Sequence, residues 1–210
     1  MIKRQDLVIK LNHLILIKGF QTQSMSTLAQ QVGVSRATLY LNFKNKDDLV
    51  EAVVTRHLTF IKDNQLPAFE PTNFLSTWLK ALLLLGSTTT TFMTELTTNY
   101  PTLASTLTTA TEDYLQQLLA YLQQAQAANF LVTNLTPEFM LFQAQALIAQ
   151  ILSEVRQHNL PLLTAETYLK ATFTMQLNGL VQPEQQATLD SSQIAAFEQT
   201  ILAEFRATYA

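Results

Sequence analysis

Apolar residues recur every three to four positions along most of the chain, which is the spacing of one face of an α-helix. In the first segment, from about Arg4 to Lys18, the residues Leu7, Leu11, Leu14 and Ile15 fall on one such face. No segment shows the strict apolar-polar alternation of a half-buried strand, and only four glycines and six prolines interrupt 210 residues. The pattern therefore predicts an all-α protein.

The same pattern places nine or ten helices along the chain. After the first, helices are predicted at 25–32, 36–43, from about Lys46 onward, and at 72–85, 88–98, 101–128, 137–158, 164–180 and 191–207. Pro101 and Pro137 suit a first helical turn, where a missing N–H costs nothing. The run Asp190-Ser191-Ser192-Gln193 has the spacing of a capping box.

A loop with Pro67 and Pro71 follows the fourth helix, and we place the boundary between two domains just before or within that helix. Residues 1–48 are predicted to form a small domain that continues into the fourth helix. Residues 49–210 are predicted to form a larger helical domain.

Charge is divided unevenly between these two parts. Residues 1–62 carry nine lysines and arginines against four acids, although the whole chain carries 13 bases against 16 acids. A basic N-terminal module on an acidic body is typical of a DNA-binding head joined to a body that does not bind DNA.

Composition also limits the compartment and the chemistry. The chain has no cysteine, which excludes disulfides and thiolate metal sites and favours a reducing cytoplasm. Its beginning shows no long apolar run and no cleavage site, so no signal peptide is expected. The longest strongly apolar run, Ala81-Leu82-Leu83-Leu84-Leu85, is far shorter than a membrane span.

The segment from Gly19 to Lys46 predicts two short helices around a tight turn. Ser24 and Ser35 are placed to cap the two helices, and Gly33 permits the turn between them. The residues predicted to face inward are Leu28, Ala29, Val32, Val34, Leu39 and Phe43, and those left facing outward on the second helix are Arg36, Ala37, Thr38, Tyr40 and Asn42. These are the parts of a helix-turn-helix, whose second helix reads base edges in the major groove.

The order of these residues resembles the signature of the tetracycline-repressor (TetR) family. The matching run is Leu28-Ala29…Gly33-Val34-Ser35…Thr38-Leu39-Tyr40…Phe43…Lys46…Leu49. It extends from the first helix to Leu49 without a gap, whereas the rest of the chain is similar only in helix count, lengths and order. The resemblance implies an N-terminal three-helix DNA-binding domain, a larger effector-binding and dimerisation domain, and regulation of transcription by a homodimer.

The resemblance also implies contacts between the second helix of the motif and base edges. Arg36, Thr38 and Asn42 are expected to reach bases or neighbouring phosphates. Ala37 is expected to contact a thymine methyl group.

The remaining DNA contacts implied by the resemblance are made to the backbone. Tyr40 is expected to place its hydroxyl on a phosphate, and Lys46 to bind a phosphate together with the N–H groups that begin the fourth helix. Ser24, Ser26 and Ser35 complete the predicted contacts with the backbone.

The chain departs from the family pattern at three places. Leu41 stands where the family often has an aromatic or polar residue, and Asn42 where it often has histidine or tyrosine. Leu11-Asn12 occupies a place in the first helix where small residues are usual. These departures leave the DNA-binding function in place and leave the operator sequence open.

Six of the predicted DNA contacts have a purely structural alternative. Tyr40 is alternatively a half-buried core tyrosine, Asn42 a solvent-exposed residue, and Arg36 and Lys46 ordinary surface charges. Ser24 and Ser35 are helix caps in either case. The motif itself is alternatively architectural.

Two late helices carry more than one apolar stripe, which indicates packing partners on two sides. In 137–158 the first stripe consists of Met140, Ala144, Leu147 and Ile151, and the second of Phe139, Phe142 and Ala146. In 164–180 the first consists of Leu169, Phe173, Leu177 and Leu180, and the second of Tyr168, Thr172 and Met175. We expect a homodimer through these helices that reads a palindromic DNA operator; the alternative is burial within one chain.

An effector pocket is implied by the resemblance among the helices between residues 72 and 180. The candidate lining residues are Trp78, Phe92, Met93, Tyr114, Phe142 and Phe173. A plain core role is the alternative for each of them. No polar cluster identifies the ligand, so an apolar or aromatic compound is the default expectation.

No catalytic, metal or cofactor site is predicted. His13, His57 and His158 are far apart and lack metal-ligand spacing, and no phosphate loop or nucleophile elbow is present. His57 is expected on a helix surface or between the domains. The sequence thus predicts a repressor released from its operator by a small-molecule effector. One alternative is a DNA-bound adaptor whose body binds a protein and no small molecule. Another is a small-molecule carrier or enzyme that retains the N-terminal domain.

Overall fold

The computed structural model describes residues 3–86 and 88–190 together with residues 192, 194–196, 199 and 202, without the side chains of His13 and Ile17. The described residues form nine α-helices, which are α1 (Arg4–Lys18), α2 (Met25–Gln31), α3 (Arg36–Asn42), α4 (Lys46–Asp63), α5 (Pro71–Gly86), α6 (Thr90–Asn99), α7 (Pro101–Ala127), α8 (Pro137–Arg156) and α9 (Leu162–Leu180). A 3₁₀-helix at Pro183–Thr188 follows them. The protein is all-α; β structure in the described ranges is limited to one bridge, between Leu131 and Val181.

The sequence pattern located these helices closely. Every helix end predicted up to residue 180 agrees with the structure to within two residues, and the fourth helix, for which only the start was predicted, ends at Asp63. Pro101 and Pro137 begin α7 and α8 as expected, and the 3₁₀-helix was not predicted. The helix predicted at 191–207, with its capping box, falls largely outside the described residues.

The chain divides into two compact units. The first consists of Met1–Asp63 and Ser87–Glu112, and the second of Asn64–Gly86 and Asp113–Ala210. These units do not follow the chain order of the predicted domains, because α4 and α6 both pack against α1. A functional division after residue 48 stays a prediction.

The core of the first unit is built around α1. Its buried side chains include Leu7, Leu11 and Ile15, which lie on the apolar face that the sequence predicted. Where α1 ends, Gly19 adopts φ 74° and Phe20 turns into the core. The Phe20 ring lies 6.2 Å from that of Phe92, in edge contact, and 5.6 Å from that of Tyr100.

Three polar side chains on α6 or at its ends bind the N-terminal helices. Thr89, the N-cap of α6, donates its hydroxyl to the carbonyl oxygen of Leu16. Glu95 accepts the N–H groups of Phe20 and Gln21 at 2.5 and 2.9 Å on one carboxylate oxygen. The hydroxyl of Tyr100 donates to Asp47 at 2.5 Å.

Gly19 is required where α1 ends. Its φ of 74° lies in the left-handed region that residues with a Cβ rarely adopt. A Cβ at this position would also overlap the carboxylate of Glu95. The glycine therefore lets the carboxylate reach the turn that follows α1.

The second unit is organised by packing of α8 against both α5 and α9. Next to these helices, an aromatic cluster joins the loop before α5 to α5 and to the chain that follows α7. Phe69 and Phe74 lie 5.4 and 5.1 Å from the ring of Phe130, and Phe74 stacks on Trp78 at 6.4 Å. The rings fix α5 relative to the end of α7, since aromatic pairs at these distances contribute both burial and electrostatic contact.

His57 lies in the interior of the first unit, and the expected surface or interdomain position was wrong. It is buried on α4 with its ring 6.2 Å from that of Phe92. Its Nε2 has no hydrogen-bond partner among the described residues. Burial, helped by the charge of Arg56, lowers the pKa of His57 from 6.5 to about 4.

This depressed pKa makes the stability of the first unit sensitive to acid. Unfolded His57 takes up a proton below pH 6.5, whereas folded His57 stays neutral to about pH 4. The free energy of unfolding should therefore fall between those values, by on the order of 3 kcal/mol in total. We expect His57→Leu to remove this part of the pH dependence, as measured by urea unfolding at pH 7.5, 6, 5 and 4.5.

The difference between the two proteins isolates the histidine, because the carboxylates titrate in both. Parallel pH profiles for the wild type and His57→Leu would contradict the assignment. A wild-type profile that drops more steeply than that of the variant would support it.

Candidate nucleic-acid interface

Two capped helices and a glycine turn form the centre of the candidate interface. Ser24 and Ser35 each accept, at 3.0 Å, the N–H three residues ahead, as the sequence predicted for helix caps. Gly33 adopts φ 73°, and the N–H of Val34 returns to the carbonyl oxygen of Ala29 at 2.9 Å. This bond closes the turn and sets the angle at which α3 leaves α2.

The inner sides of both helices are buried. Leu28 and Ala29 on α2, with Leu39 on α3 and Phe43 after it, have almost no exposed surface. Because these residues lie on one side, α3 presents its other side to solvent. The two helices thus form a rigid motif with a free outer face.

The predicted base-contacting residues lie on or beside that outer face. Arg36, Ala37 and Tyr40 are exposed, and the guanidinium of Arg36 lies 5.4 Å above the Tyr40 ring. Tyr40 is 43% exposed, so it is not a core tyrosine. The stacking holds the arginine against a flat surface while its donors remain available.

Thr38 and Asn42 are half-buried and already bonded within the motif. The hydroxyl of Thr38 lies 2.8 Å from that of Ser35, and the Asn42 amide donates to the Thr38 carbonyl oxygen at 2.9 Å. Contact with DNA by either side chain requires sharing or exchanging these bonds. Ser26, on α2, is exposed, so its hydroxyl is accessible to a phosphate.

Lys46 is turned toward the protein rather than toward solvent. Its Nζ donates to the carbonyl oxygens of Phe20, Gln21 and Gln23 at 3.2, 3.1 and 3.3 Å. All three N–H donors of the ammonium group are therefore engaged in holding the turn between α1 and α2. The predicted phosphate contact by Lys46 stays a prediction and requires one of these bonds to open.

Arg4 holds the C-terminal end of α3 and was not singled out by the sequence. Its guanidinium donates to the carbonyl oxygen of Asn42 and to Asp48, at 2.6 Å, and lies 4.5 Å above the Phe43 ring. Two hydrogen bonds lower the pKa of Asp48. The one from the Arg4 side chain has the larger effect, and the one from the Lys44 N–H has the smaller effect. The pair therefore stays ionised and fixes the end of α3 to the start of α1.

No local signal identifies Arg4 or Glu95 as positioning residues. Arg4 lies 44 positions before its partner Asp48, and Glu95 lies 75 positions after Phe20. At the start or middle of an amphipathic helix, both resemble ordinary surface charges. Only the folded first unit brings each one to its partner.

The predicted effector-pocket residues fall into three groups. Trp78, Tyr114 and Phe173 are buried in the second unit. Phe92 is buried in the first unit against Phe20, with half-buried Met93 beside it in sequence. Phe142 is 65% exposed on α8, so it lines no interior of this chain.

Four buried polar atoms in the second unit lack a partner in the part of the chain that the structure describes. They are Nε1 of Trp78, the hydroxyl of Tyr114, and both amide atoms of Gln176. Burial raises the pKa of Tyr114 to about 12, which keeps its hydroxyl protonated. Buried polar groups are normally hydrogen-bonded, so these atoms mark places where water or a ligand is expected.

The described ranges show neither a metal site nor a membrane-spanning helix. No group of three His, Asp or Glu side chains described by the structure is arranged to hold a metal ion. None of the described helices combines the length and apolar character needed to cross a membrane.

Comparison with known protein families matches residues 13–53 to bacterial regulatory proteins of the tetR family. These residues include α2, α3 and the turn between them. A Bacillus subtilis (strain 168) protein described as the uncharacterized HTH-type transcriptional regulator YvkB is 41% identical over 44 residues. That match covers 21% of this chain and 23% of the relative, so it spans under a quarter of the relative's length.

Solved structures extend the likeness to the whole fold. The ketosteroid transcriptional regulator KstR2 of Mycobacterium tuberculosis matches with a TM-score of 0.59 at 13% identity, over 85% of this chain and 95% of that one. The SmeT-triclosan complex matches with a TM-score of 0.53 at 16% identity, over 87% and 93%. Identities this low show a shared fold alone, whereas the family match shows that residues 13–53 carry the N-terminal motif of the tetR family of bacterial regulatory proteins.

Proposed function

We propose that this chain is a transcriptional repressor that binds a palindromic DNA operator as a homodimer and is released by a small-molecule effector. The observation that carries the proposal is α3, held by buried Leu39 and Phe43 on one side and free on the other. Arg36, Ala37 and Tyr40 are exposed on that free side. A short helix presented in this way fits the major groove and contacts base edges.

Charge supports DNA as the partner of this surface. Residues 1–62 carry nine bases and four acids, and Asp48, one of the four, is paired with Arg4. Net positive charge around a reading helix steers it to the phosphate backbone and adds affinity independent of sequence. A regulator of chromosomal genes works in the cytoplasm, where we place the protein.

Exposed apolar side chains support homodimerisation through α8 and α9. Phe139 and Phe142 on α8, and Leu163, Tyr168 and Met175 on α9, are exposed in the single chain. The first apolar stripe of each helix is meanwhile largely buried within the chain, through Met140, Ala144, Phe173 and Leu177. Two helices with a filled inner side and an apolar outer side fit a four-helix interface with a second copy.

The unpartnered polar atoms of Trp78, Tyr114 and Gln176 support a ligand-binding body. They are buried on α5, α7 and α9 of the second unit, and each lacks a hydrogen-bond partner among the described residues. A body that serves only as an adaptor has no need for such groups. One structural neighbour is a complex with triclosan and another is a ketosteroid transcriptional regulator, which is consistent with small molecules as effectors on this fold.

We assign Phe142 to the dimer surface rather than to the pocket, because it is exposed. The pocket then retains Trp78, Tyr114 and Phe173 from the predicted set. The proposed activity is binding, with no catalytic step.

In-vitro selection of duplex DNA from a random library at near-physiological salt tests the DNA-binding half of the proposal. We expect an enriched palindrome. Arg36→Ala should weaken binding to it by about 1–3 kcal/mol while barely changing binding to random DNA, because a bidentate base contact is lost. Tyr40→Phe keeps the ring under Arg36 but loses a phosphate contact, so it should weaken both alike.

The variants make this test specific. Equal losses on operator and random DNA for Arg36→Ala would contradict its role in base reading. Failure to enrich any sequence would move the adaptor and carrier alternatives ahead of the repressor.

Trp78 is the only tryptophan in the sequence, so its fluorescence reports on the proposed pocket. A compound that releases the protein from the selected DNA should change the emission of Trp78, because the indole N–H gains a partner. Tyr114→Phe removes the hydroxyl of Tyr114, a second buried group without a partner in the described structure. This variant should therefore need more of the compound for release from the selected DNA. A broad compound library that never changes emission or melting temperature would argue against a ligand-released repressor.

Sedimentation of the full chain tests the dimer. Phe142→Glu places a charge where an apolar surface is to be buried, and we expect it to raise the dimer dissociation constant at least about tenfold. Gln117→Glu adds the same charge at an exposed position of α7 and serves as the matched control. Equal dissociation constants for the two variants would remove α8 from the interface.

A further inference from the structure

The outermost residues of α3 are apolar. At 100° per residue, Leu41 lies about 200° around the helix from Leu39 and about 160° from Phe43, both of which are buried. Leu41 is 77% exposed, the highest value among the exposed large apolar residues of the described chain. Ala37, one turn earlier on the same side, is exposed as well.

A single exposed leucine is common on protein surfaces and by itself indicates nothing. The position of this one is informative, because it lies at the centre of the face proposed to enter the major groove. Lys44, exposed just after α3 ends, adds positive charge that suits a neighbouring phosphate. The strip itself offers only methyl and methylene groups to whatever it meets.

The polar neighbours do not extend over this strip. The amide of Asn42 is bonded back to the Thr38 carbonyl oxygen, and the hydroxyl of Thr38 is paired with that of Ser35. Arg36 leans over the Tyr40 ring. Near the C-terminal end of α3, therefore, the Leu41 side chain is the group left uncovered on the side opposite the buried residues.

Among the groups that base pairs display in the major groove, the apolar one is the C5-methyl of thymine. We propose that Leu41, with Ala37 beside it, reads thymine methyl groups, and that it determines part of the operator sequence. This inference rests on the proposed DNA-binding function and names the base that α3 selects. Burial of each methyl against Leu41 is worth about fourfold in affinity.

Specificity of this kind requires that the end of α3 be held in place. Arg4 supplies that restraint, because it donates to the carbonyl oxygen of Asn42, the residue after Leu41, and covers the Phe43 ring at 4.5 Å. Asp48 anchors the guanidinium at 2.6 Å. Leu41 therefore meets the groove from a fixed backbone rather than from a fraying helix end.

Replacement of thymine by deoxyuridine in the selected operator tests the inference, since it removes the methyl group and leaves base pairing unchanged. Each thymine is replaced in turn, symmetrically in both half-sites, and binding of the full-length wild type is measured. At one symmetric pair we expect a loss of about sixteenfold, which corresponds to one methyl group per half-site. In Leu41→Ala the same replacement should have almost no effect.

Matched variants separate methyl reading from general binding. Leu41→Met keeps an apolar side chain and should keep most of the deoxyuridine effect, and Lys44→Ala should keep all of it. Because Leu41 is largely exposed, its variants should melt at the wild-type temperature, which is measured alongside.

Deoxyuridine replacement that is neutral at every thymine, or equally costly in wild type and Leu41→Ala, would overturn the inference while leaving the repressor proposal standing. An effect that disappears in Ala37→Gly but persists in Leu41→Ala would overturn the role of Leu41. If no DNA sequence is selected at all, both the inference and the proposed function fail.

Discussion

The position of the helix-turn-helix motif depends on the turn at Gly19–Gln23, which is bound by a carboxylate and by an ammonium group. The carboxylate of Glu95 accepts its N–H groups, and the ammonium of Lys46 donates to its carbonyl oxygens. Within the turn itself, the Gln23 N–H donates to the Phe20 carbonyl oxygen at 3.2 Å. The charged side chains add partners for its other groups, and charged partners form stronger hydrogen bonds than neutral ones. The turn is thereby bonded to both α6 and α4, and α2 begins directly after it.

Polar side chains of the helix-turn-helix differ from those in the interior of the second unit. In the motif, the side chains of Ser24, Ser35 and Asn42 are all bonded locally, which restrains α2 and α3. In the second unit, the indole of Trp78 and the hydroxyl of Tyr114 are buried without partners in the described structure. Rigid presentation suits recognition of a fixed DNA surface, whereas unbonded groups in an apolar interior suit a ligand that arrives later.

The sequence predicted helices and caps well because both depend on neighbours within a few positions. The positions where local geometry requires particular residues are occupied as predicted: Gly33 lies at the turn, Ser24 and Ser35 cap α2 and α3, and prolines begin α7 and α8. The second apolar stripes of α8 and α9 were also visible, and Phe139, Phe142, Tyr168 and Met175 are exposed as a partner surface requires. The roles of these residues in binding stay predictions.

By itself, then, the sequence determined the helical class, the helix ends and the two-helix motif, since periodicity and capping act over short distances. Only the tertiary structure decided that α6 joins the first unit, that His57 is buried, and that Lys46 faces the turn. It also decided that Arg4 secures α3 across 38 positions of chain. Such contacts depend on which helices pack together, and helix packing cannot be predicted from the residue types at neighbouring positions.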